Sequence, residues 1–130
     1  METLPRGTVS LLFTDVEGST RLQHELGADY GAVVADHARL LHGAFGAHDG
    51  HVIDRQTESF FVVFRRARDA VAAAASAQRA LAAHAWPRGT SVSVRMGIHA
   101  GEPELAGDRY VGLAVARAAR ICAAEIFRRG

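Results

Sequence analysis

The spacing of apolar residues in the first half of the chain changes from that of a strand to that of a helix. Residues 8–16 (TVSLLFTDV) form a short run of β-branched and large apolar residues, which predicts a buried strand. Residues 29–48 carry apolar side chains at the i, i+3, i+4 and i+7 spacing of an amphipathic helix, and residues 20–26 predict a shorter helix before it. The chain therefore opens as a strand followed by two helices.

The second half of the chain begins with a turn signal, Asp49-Gly50, and continues with short apolar runs separated by polar residues. The predicted elements are a hairpin of strands 51–54 and 60–64, a helix over 66–85, a strand over 91–99, a loop over 101–112 and a helix from about Leu113 to Phe127. This order predicts a ferredoxin-like βαββαβ core with an additional helix, which is an α/β sandwich of the α+β kind.

Composition and charge limit the kinds of protein that this chain can be. Its 130 residues, of which 48% are hydrophobic and 22% charged, are typical of one globular domain over residues 1–130. A net charge of +1 gives no reason to expect nucleic acid or an anionic membrane as a partner. The single cysteine, Cys122, the lack of a signal-peptide pattern and the lack of any apolar run of about 18 residues predict a cytoplasmic protein.

The segment FTDVEGST combines residues that can hold a metal ion and phosphates together. Asp15 follows a buried strand, so its carboxylate can bind a cation where the strand ends. Gly18 permits a tight turn, after which Ser19 or Thr20 can cap the next helix. Assisted by the helix dipole, phosphate oxygens can then be bound by the N–H groups of Glu17, Gly18, Ser19 and Thr20. The alternative is that Asp15 only ends the strand and Ser19 only caps the helix, and the residues alone leave both interpretations open.

Four segments, in this order, resemble the motifs of the class III adenylate/guanylate cyclases: FTDVEGSTRL, HDGHVIDRQTESFFVVF, VRMGIHAGEPEL and GDRYVGLAVARAARI. They cover roughly residues 8–124 and are similar to the compact bacterial, particularly actinobacterial, branch. The resemblance implies a head-to-tail homodimer in which two chains share each active site. It also implies that ATP or GTP is converted into a 3′,5′-cyclic nucleotide and pyrophosphate with two Mg²⁺ or Mn²⁺ ions, one at the attacking 3′-hydroxyl and one at the leaving group.

The metal ligands that the resemblance implies are Asp15, the carbonyl of Val16, and Glu58. Glu58 stands where the family usually has Asp, and either carboxylate suits a hard cation. The extra methylene would move its oxygens by about 1 Å, and an error of that size can lower a rate by about 10²-fold. Thr57 replaces the preceding glycine and removes the freedom for positive φ, if the hairpin turn needs it.

The positions that choose the base and support the transition state are atypical for the family. Asp54 stands where the family has a Lys, and Arg109 occupies the partner position, unless a shift of one residue brings Asp108 there. An Asp54–Arg109 pair would reverse the usual polarity, or would simply be a salt bridge across the dimer. Arg120 matches the transition-state arginine, whereas Ala116, four residues earlier on the same helix face, lacks the amide of the family's Asn.

These departures leave two hypotheses open. The first is a weakly active cyclase that uses Asp15, Glu58 and Arg120, and the second is a catalytically degenerate homologue that serves as a nucleotide-binding or dimerisation module. A ferredoxin-like RNA-binding domain is a more remote alternative, because the chain lacks the basic and aromatic surface for it. The family continues after the last helix with a glycine turn and further elements, so we expect a domain without its last strand. The residues do not show whether ATP or GTP is preferred.

Overall fold

The computed structural model describes residues 3–123, and the end of the last predicted helix lies outside these residues. Its strands are β1 (Val9–Val16), β2 (His51–Arg55), β3 (Ser59–Phe64), β4 (Val94–Gly101), β5 (Glu104–Ala106) and β6 (Arg109–Val111). Its helices are α1 (Ser19–Leu26), α2 (Tyr30–Ala47), α3 (Ala67–Ala83) and α4 (Leu113–Ala123), with short 3₁₀ turns at Gly27–Asp29 and Pro87–Gly89. None of the helices in this part of the chain is long and apolar enough to cross a membrane.

Four of the strands form an antiparallel sheet in the order β2-β3-β1-β4. β1 lies inside this sheet, paired with β3 on one side and with β4 on the other. Its sequence is apolar almost throughout because its side chains enter a core on each face of the sheet. With α1 and α2 between β1 and β2, and α3 between β3 and β4, this is the βαββαβ order of a ferredoxin-like core. The predicted fold class, an α+β sandwich with an additional helix, is confirmed.

The two faces of the sheet are covered by different elements. The first face, here called the helix face, packs side chains such as Leu12, Val16 and Phe60 against α1, α2 and α3. The second face, here called the α4 face, packs Leu11 and Phe61 against α4 and the β5-β6 hairpin. Neighbouring residues of β1 alternate between the two faces, as the period of two in a strand requires.

The region predicted as a loop over residues 101–112 contains the β5-β6 hairpin. Each strand has only three residues, which is too few for a period-two pattern to be recognised in the sequence. The hairpin is fixed to the α4 face by Tyr110, whose buried side chain donates a hydrogen bond of 2.7 Å to the carbonyl of Pro5. The strand predicted over residues 91–99 is shifted as well, because it begins at Val94 and ends at Gly101.

The last helix, α4, crosses β4 at a point where a side chain has no room. A Cβ atom on Gly97 would lie 2.5 Å from the backbone nitrogen of Cys122 and 2.8 Å from its Cα. Real Cβ atoms do not approach backbone atoms so closely, so Gly97 is what lets the helix lie directly on the sheet. This contact places Arg120 and Ala116, the candidate residues of α4, relative to the strands.

Candidate functional site

Backbone hydrogen bonds fix the end of β1, where Asp15 lies. The N–H of Val16 donates to the carbonyl of Glu58 (3.0 Å), and the N–H of Glu17 donates to the carbonyl of Ser93 (2.8 Å). The end of β1 is therefore joined to the β2-β3 turn on one side and to the segment before β4 on the other. Asp15 and Glu58, which are far apart in the sequence, are brought to the same end of the sheet.

Gly18 makes the turn from β1 into α1. Its φ of 64° and ψ of 36° lie in the left-handed region, which glycine adopts at little cost. The helix begins at Ser19 and no side chain caps it, so the predicted capping by Ser19 or Thr20 is wrong: both residues are already inside the first turn. Because the N–H of Glu17 is bonded to the segment before β4, the amides of Gly18, Ser19 and Thr20 remain as candidates for binding phosphate.

Asp15 is paired with Arg95, a residue that the sequence did not single out. The two residues are direct partners in the register of β1 and β4, and Nη2 of Arg95 forms an ion pair with Oδ2 of Asp15. Both side chains are partly covered, since 20% of the Arg95 side chain and 38% of the Asp15 side chain are exposed. The alternation in SVSVRMGIH separates Arg95 from the apolar side of the strand, but only the register of the two strands shows that it meets Asp15.

Glu58 is held by Tyr30, the first residue of α2. The Tyr30 hydroxyl donates a hydrogen bond to Oε2 of Glu58, and the Tyr30 side chain is buried in the core of the helix face. Burial first, and then the hydrogen bond and charge of Glu58, raise the pKa of Tyr30 to about 12, while a hydrogen bond with Ser19 acts in the opposite direction. The phenol is therefore a proton donor at neutral pH. No local pattern indicates this role, because an aromatic residue in an amphipathic helix is typical of a core position.

The two candidate metal carboxylates are directed to opposite faces of the sheet. Asp15 follows Phe13 by two residues in β1, and Phe13 packs in the core of the α4 face, so Asp15 is directed to that face. Glu58 is bonded through its carbonyl to Val16, whose side chain lies in the core of the helix face, and its carboxylate contacts Tyr30 there. Each carboxylate is thus held by a partner on its own side of the sheet.

The β2-β3 turn accommodates Thr57 in place of the family's glycine. In the part of the chain that the structure describes, the residues other than glycine with positive φ are Asp49 and Arg88. Thr57 is not among them, so this turn does not need the left-handed conformation that glycine would allow. The turn is closed instead by the N–H of Gln56, which donates to the carbonyl of Ser59 (2.9 Å).

A β-bulge in β2 sets the direction of Asp54. Val52 pairs with Val62, but Asp54 pairs with Phe61, so the register shifts at Ile53. Directly paired residues of antiparallel strands share a face, and Asp54 therefore lies on the α4 face together with Phe61. Without the bulge, Asp54 would share the face of Val52, which packs against the core of the helix face.

The second base-selecting candidate, Arg109, is not joined to Asp54 within the chain. Both side chains are exposed, and the Asp54 carboxylate accepts a hydrogen bond of 3.1 Å from the side-chain amide of Gln56. Among residues 3–123, no hydrogen bond or ion pair connects Asp54 with Arg109.

The candidate residues of α4 lie on its exposed side. The helix is anchored by Ala118 and Cys122, which are buried against the sheet. Arg120 and Ala116 are exposed and four residues apart, so they share one face of the helix. Over the described residues, no hydrogen bond or ion pair connects Arg120 with Asp15 or Glu58 in the same chain.

In this arrangement, Asp15 lies next to the turn at Gly18, whereas the Glu58 carboxylate is bonded to Tyr30. Carboxylates are hard oxygen ligands, and Mg²⁺ is commonly held by one or two of them together with phosphates of the substrate. Between residues 3 and 123, no group of three or more His, Cys, Asp or Glu side chains could hold a metal ion. Within the described residues, Asp15 and Glu58 are therefore two candidate ligands rather than a complete metal site.

A cavity of about 930 Å³ lies between α3 and β4. Its lining is mostly apolar, with residues such as Val71, Leu81 and Met96, and it extends to Arg95. Neither Asp15 nor Glu58 lines it. The cavity thus lacks the carboxylates that the predicted chemistry needs, and we do not assign the nucleotide to it.

Comparison with known sequences gives relatives at moderate identity. No family model matches the chain. An uncharacterized protein of Mycobacterium tuberculosis is 35% identical over 119 residues, which cover 90% of this chain and 39% of that protein. An adenylate cyclase of Lachancea kluyveri is 28% identical over 142 residues, which cover 90% of this chain and 8% of that protein. The chain therefore spans less than half the length of the curated relatives that it matches.

Comparison with solved structures gives close agreement in fold. An adenylate cyclase of Trypanosoma brucei, in its monomeric state, has a TM-score of 0.80 at 23% identity, and the match covers 92% of this chain and 70% of that one. An adenylate/guanylate cyclase/hydrolase from Silicibacter pomeroyi has a TM-score of 0.78 at 25% identity, covering 92% and 71%. The guanylate cyclase domain of RhGC from Catenaria anguillulae, in complex with GTP, has a TM-score of 0.78 at 16% identity, covering 93% and 75%. The chain has the fold of adenylate and guanylate cyclase catalytic domains, and the resemblance carried by its four motifs is confirmed.

Proposed function

We propose that the chain is a nucleotidyl cyclase-type domain that binds ATP or GTP together with Mg²⁺ or Mn²⁺ and forms a 3′,5′-cyclic nucleotide and pyrophosphate at a low rate. The observation that carries this proposal is the end of β1, where Asp15 precedes the left-handed turn at Gly18 and the start of α1. A carboxylate for the cation and backbone N–H groups for phosphate oxygens lie there at neighbouring positions.

The residues at this turn have distinct tasks in the proposed reaction. A divalent cation, when bound, supplies positive charge that acidifies the 3′-hydroxyl and offsets the charge of the leaving pyrophosphate. Asp15 anchors the cation, while the amides of Gly18, Ser19 and Thr20 bind phosphate oxygens with the help of the α1 dipole. The fixed backbone on both sides of β1 orients the phosphates before the reaction begins.

Arg95 links the carboxylate to the phosphates. In the structure its guanidinium is paired with Asp15. With a cation bound at Asp15, the guanidinium of Arg95 would be available for phosphate oxygens, for which its fork of donors is well suited. The exchange of one partner for another weakens substrate binding, which lowers the rate at sub-saturating nucleotide.

Arg120 acts on the nucleotide from a second copy of the chain in this proposal. It lies on the exposed side of α4 and, among the described residues, forms no hydrogen bond or ion pair with Asp15 or Glu58 of its own chain. A head-to-tail homodimer would bring this face of α4 to the β1 end of the partner, and it would give Asp54 and Arg109 a route to meet. Because both of these base-selecting positions are atypical, they favour neither ATP nor GTP as the substrate.

A second candidate function is a nucleotide-binding or dimerisation module without turnover. The observation that favours it is that both candidate metal carboxylates already have partners, Asp15 in Arg95 and Glu58 in Tyr30. In addition, Ala116 offers no side-chain amide to support the ribose. A nucleotide-binding module would bind a nucleotide with Mn²⁺ and release it unchanged, whereas a dimerisation module would bind none.

Product formation by the purified chain separates the two functions. The chain is incubated with Mn²⁺ and ATP or GTP, and cyclic nucleotide is measured beside the variants Asp15→Asn and Asp69→Asn. Asp69 lies at the start of α3, which follows the end of β3 remote from Asp15, so this control removes the same charge elsewhere. Product that disappears in Asp15→Asn and persists in Asp69→Asn supports the cyclase. Metal-dependent nucleotide binding without product, in a folded sample, supports the second candidate.

A further inference from the structure

The contact between Tyr30 and Glu58 joins two parts of the chain that are 28 residues apart. Tyr30 begins α2, and its ring belongs to the core of the helix face, where 8% of the residue remains exposed. Its hydroxyl donates to Oε2 of Glu58. The donor is thus fixed by core packing, whereas the acceptor lies on a short turn between two strands.

The direction of Glu58 follows from this contact. Through its bond to Val16 and its contact with Tyr30, Glu58 belongs to the helix face, while Asp15 is directed to the α4 face and pairs with Arg95. For both carboxylates to bind the same cation, at least one of them must leave its present partner. A hydrogen bond to a charged group can shift an equilibrium by about 10- to 100-fold, so leaving Tyr30 has a measurable cost.

We propose that Tyr30 is a positioning residue that holds Glu58 on the helix face and thereby withholds it from the cation site at Asp15. This inference rests on the proposed function, because it assumes that Asp15 anchors a divalent cation. The hydroxyl of Tyr30 then helps to set the affinity for the cation. The chain binds the cation through Asp15, and Glu58 becomes a second ligand only when its hydrogen bond to Tyr30 breaks.

The hydroxyl of Tyr30 can be removed without removing the ring from the core. In Tyr30→Phe the packing of the helix face is kept, and Glu58 loses its donor. We expect this variant to bind Mn²⁺ about tenfold more tightly than the wild-type chain, as measured by isothermal titration calorimetry and by the free-Mn²⁺ signal in electron paramagnetic resonance. In Tyr30→Phe combined with Glu58→Gln, the gain is expected to disappear, because the released side chain no longer carries a charge.

Tyr110 offers a matched control. It is also a buried tyrosine whose hydroxyl donates a hydrogen bond, but its acceptor is the carbonyl of Pro5, on the α4 face. Tyr110→Phe therefore removes a buried phenol hydroxyl without touching Glu58, and its affinity for Mn²⁺ is expected to equal that of the wild-type chain. A gain in both variants would show a general loosening of the fold and would overturn the proposal.

A second measurement does not depend on the Tyr30 variant. If Tyr30 withholds Glu58, Glu58→Gln alone lowers Mn²⁺ affinity by less than about threefold, the effect of a nearby charge that is partly screened. A loss of tenfold or more would show that Glu58 already binds the cation, and would overturn the proposal. So would wild-type or weaker affinity in Tyr30→Phe.

These results are distinct from failure of the proposed function. Tighter Mn²⁺ binding by Tyr30→Phe with no cyclic nucleotide in any sample supports the positioning role and rejects turnover. If Asp15→Asn, by contrast, binds Mn²⁺ as tightly as the wild-type chain does, Asp15 does not hold the cation, and both proposals fail. Absence of Mn²⁺ binding in both the wild-type chain and Tyr30→Phe overturns the positioning role as well, because release of Glu58 then creates no site.

Discussion

Arg95 and Asp15 lie directly opposite each other on β4 and β1, and their side chains form an ion pair at the end of the sheet where the candidate site begins. Both side chains are partly covered by protein, with 20% and 38% of their surface exposed. The attraction between the two charges is therefore less screened by water than in a fully exposed pair. It is expected to affect both the free energy of unfolding and the binding of ligands to Asp15. A ligand that binds Oδ2 of Asp15 must displace or share the guanidinium of Arg95.

The Arg95–Asp15 pair is expected to contribute about 1 kcal/mol to the free energy of unfolding, the upper part of the range for pairs that are not fully buried. A double-mutant cycle with Arg95→Gln and Asp15→Asn, followed by urea unfolding, measures this coupling. The Arg39–Asp36 pair on α2, with 64% and 42% of its side chains exposed, is the control and is expected to give less than about 0.5 kcal/mol. Equal couplings in the two cycles would contradict the prediction.

Gly97→Ala is expected to destabilise the chain by about 2–4 kcal/mol, because the new methyl group would overlap the backbone of Cys122 and push α4 away from β4. Urea unfolding of the variant measures the loss. Gly43 in α2 provides the contrast, since a Cβ there has no neighbour within 4 Å. Gly43→Ala is expected to stabilise the chain by about 0.5–1 kcal/mol through helix propensity. A loss in Gly97→Ala no larger than about 0.5 kcal/mol would show that α4 does not approach β4 as described.

The main elements of the fold could be predicted from the sequence because each has a local signal. The apolar run of β1 and the periodic pattern of α2 are long enough to define a strand and a helix. The β5-β6 hairpin was missed because its strands are three residues long. The bulge at Ile53 was also missed, although it decides which face Asp54 occupies, since a register shift leaves no mark on the composition of a strand.

The candidate site could be predicted only in its local part. Asp15 and Gly18 are neighbours in one motif, so strand end, turn and helix start follow from the order of residues alone. Arg95 lies 80 residues from Asp15, and Tyr30 lies 28 residues from Glu58. Contacts at such separations are set by strand register and helix packing, which a single sequence does not specify. The partners of both carboxylates therefore appeared only in the structure.

His37 is expected to make the chain less stable in mild acid. It is buried on the helix face, with its ring edge-on to Phe60 at 6.0 Å, and burial first, with the charge of Arg55 adding to it, lowers its pKa. The unfolded chain therefore binds a proton at a higher pH than the folded chain does. The contribution of uncharged His37 to the free energy of unfolding is fully present above about pH 6.5. It is lost as the pH falls through the pKa that His37 has in the folded chain.

Replacing His37 tests this dependence. In His37→Leu the difference between the urea midpoints at pH 7.5 and pH 5 is expected to shrink, because an apolar side chain keeps the core filled and takes up no proton. His42→Gln, at an exposed position of the same helix, is expected to keep the wild-type difference. If His37→Leu and His42→Gln show the same acid sensitivity, groups other than His37 cause the loss of stability in mild acid.

Tyr30 is expected to act at the other end of the pH scale. Its pKa is raised to about 12 in the folded chain, against about 10 for a free phenol, so only the unfolded chain loses this proton between those values. The stability that it contributes is complete below pH 10 and is lost as the pH rises towards 12, with a slope of up to about 1.4 kcal/mol per pH unit. In Tyr30→Phe, the urea midpoint should change less between pH 9 and pH 11 than it does in the wild-type chain. An unchanged slope would show that the phenol of Tyr30 titrates in the ordinary range.

Mixing two inactive variants tests whether each site is shared between chains. If Asp15 of one chain and Arg120 of another meet at the same nucleotide, Asp15→Asn and Arg120→Ala are each expected to lose most of the cyclic nucleotide formation seen with Mn²⁺. In an equal mixture, half of the dimers contain one chain of each kind, and one of their two sites has both residues intact. About a quarter of the wild-type rate should then return. A mixture that stays as inactive as its components, under conditions where chains exchange, would mean that Arg120 serves its own chain or no site at all.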